Sequence, residues 1–144
     1  MSQTLPLTGG CNCGAVRYAL ATPPLAVVAC HCTSCRRQSG ATFSVNLVVL
    51  ADSMAVQGQP ASWNDPDTES GQPLAREFCG TCGSPIRSVP ASSPGVFAVK
   101  AGTLDHPDGF APQMHIWTCS RIDWVEVPAA LPSFPKGPPA PGGR

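Results

Sequence analysis

Seven of the eight cysteines in this 144-residue chain fall into three short clusters separated by long apolar segments rich in turn residues. The clusters are Cys11-x-Cys13, Cys30-x-Cys32-x-x-Cys35 and Cys79-x-x-Cys82. This spacing is typical of zinc ligands. A structural zinc ion takes four protein ligands, whereas a catalytic zinc ion takes three and keeps an open position. Two pairs and one triplet therefore predict two Zn²⁺ ions, one structural and one catalytic.

The two cysteine pairs are predicted to form the structural site together. Cys79-Gly-Thr-Cys82-Gly83 has the form of a zinc knuckle, in which two thiolates flank a tight turn and the following glycine can adopt a positive φ. Cys11 and Cys13 are two positions apart, so on an extended chain they project to the same side. Four thiolates complete a closed tetrahedral site, which would tie two distant parts of a small domain together.

Two other cysteine chemistries compete with this interpretation. A thioredoxin-like redox pair needs Cys-x-x-Cys between a strand and a helix, whereas Ser84 and Pro85 end the turn after Cys82. Zinc deaminases carry His-x-Glu together with Pro-Cys-x-x-Cys, but here Phe78 precedes Cys79 and no His-x-Glu occurs. Because the sequence matches neither pattern, zinc binding without redox or deaminase chemistry is favoured.

The triplet within Cys30-His-Cys-Thr-Ser-Cys35 is predicted to form the second site, because three sulfurs can converge on one ion from six consecutive residues. One corner of the tetrahedron remains to be filled. Cys119 could fill it and make the site closed and structural. His31 or His115 could also complete it, although His31 lies between two ligands and is expected to point away.

An open corner would make Cys30, Cys32 and Cys35 the catalytic group. Three thiolates leave the zinc centre with one negative charge and make it a weak Lewis acid, which disfavours water activation. A thiolate-rich centre suits an exogenous thiol as the fourth ligand, and coordination would deprotonate that thiol to a nucleophile. Arg36 and Arg37 follow the triplet and are predicted to hold a carboxylate of that thiol, although exposed arginine pairs are often merely solvated.

Composition also indicates whether the protein binds nucleic acid, a membrane or a second copy of itself. The chain has nine basic and nine acidic residues, and only 12% of it is charged, so it lacks the basic face that nucleic-acid binding requires. No apolar run reaches the roughly 20 residues that cross a bilayer, and the first residues do not resemble a signal peptide. We therefore expect a cytoplasmic protein with reduced thiols, no nucleic-acid partner and no membrane contact. Weak surface charge also makes a homo-oligomer plausible.

Alternating apolar and polar residues predict half-buried β-strands along much of the chain. The candidates are 16–20, 25–30, 43–49, 54–57, 74–79, 85–89, 96–99, 113–119 and 122–127. One short helix is predicted over 33–38, with Thr33 or Ser34 as its cap and Gly40 at its end. The sequence thus predicts a mainly β protein with little helix and with metal sites on loops.

The remaining segments complete the predicted organisation. Residues 1–134 are expected to form one zinc-binding domain, followed by a Pro/Gly-rich tail over 135–144. The acidic stretch 64–71 is interpreted as a solvated loop without function. The tryptophans Trp63, Trp117 and Trp124 are expected in the core or on a sheet face.

Four motifs resemble one known family. They are Gly10-Cys-Asn-Cys-Gly-Ala-Val-Arg-Tyr18, Cys30-His-Cys-Thr-Ser-Cys-Arg-Arg-Gln-Ser-Gly40, Arg76-Glu-Phe-Cys-Gly-Thr-Cys-Gly-Ser84 and Lys100-Ala-Gly-Thr-Leu-Asp105. They are similar to the glutathione-dependent formaldehyde-activating family, also known as S-(hydroxymethyl)glutathione synthase, which includes relatives of centromere protein V. The resemblance runs from about residue 8 to Phe134.

This resemblance implies a β-tent fold of small packed antiparallel sheets that binds zinc. It also implies a structural zinc on Cys11, Cys13, Cys79 and Cys82, and a second zinc on Cys30, Cys32 and Cys35. The implied activity is that of a carbon-sulfur lyase, which adds the glutathione thiol to formaldehyde without redox change. The alternative is a noncatalytic, zinc-stabilised binding module for a protein partner.

Overall fold

The structure, a computed structural model, describes residues 4–138 as ten β-strands with one short helix. The strands are β1 (Leu7–Gly10), β2 (Arg17–Leu20), β3 (Ala26–Cys30), β4 (Ser44–Leu50), β5 (Met54–Gln57), β6 (Ala61–Asp65), β7 (Leu74–Phe78), β8 (Pro85–Pro90), β9 (Val96–Lys100) and β10 (Met114–Ile116). The helix is α1 (Thr33–Ser39), and three 3-10 turns cover Ala51–Ser53, Ala101–Thr103 and Thr118–Ser120. The prediction of a mainly β protein with little helix is confirmed.

The strands form two sheets. The smaller sheet has the order β1-β2-β5, and the larger has the order β10-β3-β4-β9-β8-β7-β6. Every pair of neighbouring strands is antiparallel except β10 and β3, which run parallel. No helix in the described range 4–138 is long and apolar enough to span a bilayer.

The two faces of the larger sheet differ in chemistry. Alternate residues of β4 and β9, such as Leu47, Val49 and Val99, enter an apolar core shared with Tyr18 and Leu20 of the smaller sheet. The intervening positions of strands β4, β7, β8 and β9 carry buried polar side chains, namely Ser44, Asn46, Arg76, Ser88 and Lys100. Because side chains alternate across a strand, this polar row lies on the face opposite the core.

The helix α1 begins at a cysteine. Cys32 has an extended backbone, and its sulfur accepts a hydrogen bond from the Cys35 amide at 3.2 Å, so Cys32 is the N-cap. The predicted cap at Thr33 or Ser34 is therefore wrong by one or two positions. Gly40 ends the helix as predicted, since it adopts a left-handed φ of 70° and its amide donates to the Arg36 carbonyl.

Several strand predictions need correction. Strands β1 and β6 were missed, since Leu-Thr-Gly-Gly has few strand-forming residues and β6 is a largely exposed edge strand. The strand predicted over 113–119 stops at Ile116, because Trp117 adopts a left-handed φ of 58°. The predicted strand over 122–127 is wrong, since that segment forms turns and irregular structure.

The segment 132–136 lies beside β10 and the turn that follows it. The His115 amide donates to the Pro132 carbonyl at 3.0 Å, and the Trp117 amide donates to the Lys136 carbonyl at 2.9 Å. The first residues of the predicted tail therefore contact the sheet edge. The rest of that tail, from residue 139 onward, lies outside the described residues.

Candidate metal centres

The first cysteine group lies where the ends of β1 and β7 approach each other. The thiol sulfurs of Cys11, Cys13, Cys79 and Cys82 all lie within 4.8 Å of one another. The Cys13 sulfur is 3.7 Å from the Cys11 sulfur and 3.7 Å from the Cys79 sulfur. The two pairs that the sequence analysis combined are thus brought together as a four-sulfur group.

Hydrogen-bond donors surround this group. The Val16 amide donates to the Cys11 sulfur at 3.2 Å and lowers the pKa of that thiol. The Ser84 hydroxyl lies 3.2 Å from the Cys82 sulfur and, with the Ser84 amide, lowers the pKa of Cys82 to about 5. Donors of this kind favour the thiolate, which is the form that binds a metal ion.

The second group joins the end of β3 to the start of α1. The sulfurs of Cys30, Cys32 and Cys35 lie within 4.8 Å of one another, and all three residues are buried. We call this group the triad. Ile116 and Trp117 pack against it. Because the strand ends at Cys30 and the helix is capped by Cys32, the change from strand to helix within six residues turns the three sulfurs toward one point.

No fourth Cys, His, Asp or Glu side chain of residues 4–138 joins the triad. Cys119 is exposed on the 3-10 turn Thr118–Ser120, and its sulfur lies 3.8 Å from the Ser120 hydroxyl. The interpretation in which Cys119 closes the site is therefore not supported by this geometry. The triad keeps three protein sulfurs only.

The two candidate histidines contact each other and are not part of the triad. His31 Nε2 lies 2.8 Å from His115 Nδ1, and both side chains are buried. Their rings stack, and Phe43 packs beside them. Burial lowers the pKa of His31 to about 4, so the pair is neutral near pH 7. His31 points away from the sulfurs as expected, and the pair helps to hold β10 against β3.

A buried arginine that the sequence analysis missed contacts the triad. Arg76 Nη1 lies 3.6 Å from the Cys35 sulfur and 3.3 Å from the Ser88 hydroxyl. Its Nε and Nη2 atoms donate to Asp65 Oδ2 at 3.2 and 3.1 Å. Only 1% of Arg76 is exposed, so its charge is balanced by groups inside the protein.

A buried lysine lies on the same face of the sheet. Lys100 Nζ donates to the Ser44 hydroxyl at 2.8 Å, and that hydroxyl donates to the Asn46 side-chain oxygen at 2.9 Å. The pKa of Cys35 falls to about 2, first because Cys30 and Cys32 donate hydrogen bonds to it and then because Lys100 and Arg76 are positively charged. These groups favour the thiolate form of Cys35.

The acidic stretch 64–71 is not simply a solvated loop, so that interpretation is wrong. Asp65 belongs to β6 and forms the buried ion pair with Arg76. The Glu69 carboxylate accepts hydrogen bonds from the Thr33 amide and from the Ser120 hydroxyl, both at 2.5 Å. Composition alone did not indicate these contacts, because a sequence does not distinguish a buried carboxylate from a solvated one.

The arginine pair after the triplet lies on α1, with Arg36 half-buried and Arg37 exposed. Within residues 4–138 neither guanidinium donates to a triad sulfur; Arg76 does so instead. Arg37 lines a cavity of about 410 Å³ with Ser34, Gln38 and Trp63. We call it the polar cavity, because Asp65 and Asp67 complete its lining.

The tryptophans differ in exposure. Trp117 packs against the triad, whereas Trp63 is 57% exposed and Trp124 is 68% exposed. The expectation of a core or sheet-face position fails for Trp124, which lies in an irregular segment. Trp63 does lie on a strand, but at the edge of the larger sheet.

The chain is similar to known proteins in sequence and in fold. A family sequence model described as glutathione-dependent formaldehyde-activating enzyme matches residues 6–120. A Halomonas elongata protein named "Putative glutathione-dependent formaldehyde-activating enzyme" is 29% identical over 126 residues, which cover 84% of this chain and 80% of that protein. A crystal structure of a Rhodobacter sphaeroides protein matches 73% of this chain and 91% of its own, with a TM-score of 0.52 and 22% identity. The match to the Rhodobacter sphaeroides structure shows a similarity of fold alone.

Proposed function

The chain belongs to the glutathione-dependent formaldehyde-activating enzyme family, and on that premise we propose that it is a zinc-dependent carbon-sulfur lyase joining glutathione to formaldehyde. The observation that carries the proposal is the buried triad of Cys30, Cys32 and Cys35, which no fourth side chain of the described residues completes. The family relationship supports the thiol and the aldehyde as substrates.

The residues present fit two zinc ions. Thiolate sulfur is a preferred zinc ligand, and seven cysteines supply one group of four and one of three. We assign the group of Cys11, Cys13, Cys79 and Cys82 to a structural ion. A zinc ion held by the triad would supply one open position that favours the thiolate form of an incoming thiol.

The protein residues around the triad would prepare it for that thiol. Ile116 and Trp117 pack against the triad and would help to exclude water from it. Three cysteine thiolates and a dication leave one negative charge, and a substrate thiolate adds a second. Lys100 and Arg76 are the buried cations beside Cys35, and both would offset part of this charge.

The polar cavity is where we place the rest of the thiol substrate. Glutathione carries two carboxylates and one ammonium group. Arg37 can hold a carboxylate, as predicted for the pair Arg36 and Arg37, and Asp67 can hold the ammonium group. Ser34, which also lines this cavity, directly precedes Cys35, so a thiol bound there would lie close to the triad.

The reaction itself needs no oxidant or reductant. The thiolate sulfur attacks the aldehyde carbon and forms the new carbon-sulfur bond. The electron pair of the carbonyl π bond moves to oxygen, which then takes up one proton and replaces the one that the thiol has lost. Holding both reactants beside the triad would make this addition effectively unimolecular.

The test is exchange NMR spectroscopy, because glutathione and formaldehyde also combine without a catalyst. We expect the zinc-loaded protein to increase the exchange rate between free formaldehyde and its glutathione adduct. Cys32→Ser should lose this increase while keeping the fold, whereas Cys119→Ser should keep it. A fully zinc-loaded protein that leaves the exchange rate unchanged would rule the proposal out.

The exposed Trp124 favours a second candidate, a noncatalytic zinc-stabilised module that binds a protein. Cobalt substitution separates the two functions. Glutathione should change the visible spectrum of the cobalt protein if the triad centre accepts a fourth ligand. Two closed centres would leave that spectrum unchanged.

A further inference from the structure

A second cavity, of about 320 Å³, lies beyond the C-terminal end of α1. Its walls include Ala41, Phe43, Val45 and Pro85, and its polar lining includes Ser44 and Lys100. We call it the apolar cavity. It differs from the polar cavity in having one buried cation and no carboxylate in its lining.

Lys100 is the chemically unusual member of this lining. It is 5% exposed, and the Ser44 hydroxyl is its hydrogen-bond acceptor in the described structure. A lysine ammonium group has three donors, so two remain for a molecule inside the cavity. No carboxylate of residues 4–138 forms an ion pair with it. Burying such a charge is costly, and the negative charge of the triad thiolates is what offsets it among the described residues.

Two residues that line the apolar cavity, Ser44 and Lys100, project to the same face of the larger sheet as Cys30 of the triad, whereas Val45 projects to the opposite face. In the antiparallel pair of β3 and β4, Cys30 lies directly opposite Ser44. In the pair of β4 and β9, Asn46 lies directly opposite Lys100. Residues opposite each other in antiparallel strands have Cβ atoms about 5 Å apart and project to one face. Lys100 therefore lines the apolar cavity from the face of the sheet that carries the triad, and its charge favours the Cys35 thiolate.

We propose that the apolar cavity binds the aldehyde, that Lys100 donates a hydrogen bond to the aldehyde oxygen, and that the enzyme accepts aldehydes with apolar substituents larger than formaldehyde. This inference rests on the proposed function. Formaldehyde has two heavy atoms, whereas a cavity of 320 Å³ equals the liquid volume of about ten waters. The extra space is bounded mainly by carbon and would accommodate a short alkyl chain.

Lys100 would act where negative charge develops. As the thiolate sulfur forms its bond to the aldehyde carbon, the carbonyl electron pair moves to oxygen, and an ammonium group beside that oxygen stabilises it. The oxygen then takes a proton from solvent, matching the one that the thiol released. Lys100 transfers no proton in this step, and its part is to donate a hydrogen bond to the oxygen.

The organic part of the thiol is a poorer occupant of this cavity. Glutathione brings three charged groups, and the lining offers one cation and no acidic side chain. The polar cavity provides Arg37 and Asp67, which match groups of both signs. The two substrates are thus assigned to separate cavities. The polar cavity is lined by residues of α1, and the apolar cavity is lined by the end of α1 and the residues just after it.

The experiment compares formaldehyde with butanal as partners of glutathione, using exchange NMR on the zinc-loaded full chain. We expect the wild-type protein to accelerate both additions. Ala41→Phe, which narrows the cavity at an exposed position, should lower the butanal-to-formaldehyde ratio of kcat/KM about tenfold. Ala91→Phe, at an exposed turn outside the cavity, is the matched control and should leave the ratio unchanged.

Lys100→Met tests the hydrogen bond. We expect kcat/KM for both aldehydes to fall by about 10² while the zinc content stays the same. KM for glutathione should rise by a smaller factor, because Arg76 still offsets part of the thiolate charge. A rise in KM for glutathione with unchanged kcat/KM for both aldehydes would overturn the assignment. Acceleration with formaldehyde but not butanal would overturn the inference alone. If neither aldehyde is accelerated, the proposed function fails as well.

Discussion

Arg76 Nη1 lies 3.6 Å from the Cys35 sulfur, and both residues are buried. The other side of the same guanidinium is bonded to Asp65. Arg76 therefore links a carboxylate of the edge strand β6 to a sulfur of the triad. Groups that contact metal ligands in this way usually change metal affinity when they are removed.

Arg76→Met should destabilise the protein by about 3–5 kcal/mol, because it leaves the Asp65 carboxylate buried without a partner. Urea unfolding of the zinc-loaded protein measures this loss. The double variant Arg76→Met/Asp65→Leu should recover most of it. Arg87→Met is the control, since the Arg87 pair with Glu77 is partly exposed and should contribute about 1 kcal/mol or less. Equal losses for Arg76→Met and Arg87→Met would contradict the expectation.

The same double variant should hold zinc at the triad about 10–100-fold more weakly than the wild-type protein, because the sulfur of Cys35 loses a charged donor. Competition with a chromophoric chelator measures this affinity. The four-cysteine centre lies apart from Arg76 and serves as the internal reference, since its affinity should not change.

Cys82→Ser and Cys32→Ser should have different effects, although each removes one predicted zinc ligand. Cys82→Ser opens a centre that ties β1 to β7, so we expect unfolding at room temperature or a large loss of thermal stability. Cys32→Ser should leave a folded protein that lacks activity. Circular dichroism and zinc analysis distinguish the two cases. Equal unfolding by both variants would contradict the division into a structural and a catalytic centre.

Cys119→Ser should leave the zinc content at two ions per chain, because the Cys119 sulfur is outside the triad. Cys35→Ser is the comparison, and it should lower the zinc content toward one. Zinc analysis after gel filtration is sufficient for this test. A loss of zinc in Cys119→Ser would mean that Cys119 closes the second centre after all.

Gly58→Ala should destabilise the protein by roughly 2–4 kcal/mol. Gly58 has a φ of 89°, and a Cβ atom there would lie 2.1 Å from the Ala15 carbonyl oxygen, so the substitution adds a backbone clash to the conformational strain. Gly71 has a similar φ of 78° but open space around its Cβ position, so Gly71→Ala should cost only about 1 kcal/mol. Thermal unfolding of the two variants separates the free-energy cost of the backbone clash from that of the conformational strain. Similar losses would show that the neighbouring carbonyl moves easily.

The sequence predicts the cysteine groups well because each motif is local. Cys30, Cys32 and Cys35 lie within six residues, so the strand-to-helix change alone brings their sulfurs together. The same holds for the strand β4, where alternation of apolar residues marks the face that enters the core. Features of this kind depend on neighbours along the chain.

The charged groups around the triad could not be predicted in the same way. Lys100 reaches the triad face only because β9 pairs with β4, and Arg76 contacts Cys35 only after β7 joins the sheet and α1 packs over it. Such pairings join residues far apart in sequence, and no local pattern of residue types specifies them. Arg36 and Arg37 were predicted as binding residues because they follow the triplet in sequence. The buried cations beside the triad, Arg76 and Lys100, lie instead on strands distant in sequence.

The family match ends at residue 120, yet the amide of Trp117, which packs against the triad, donates to the carbonyl of Lys136. Part of what holds this tryptophan in place therefore lies beyond the matched residues. Related proteins that keep every cysteine but carry a different stretch after that point would shape the surroundings of the triad differently. Divergence of substrate range among such relatives would then require no change in any metal ligand.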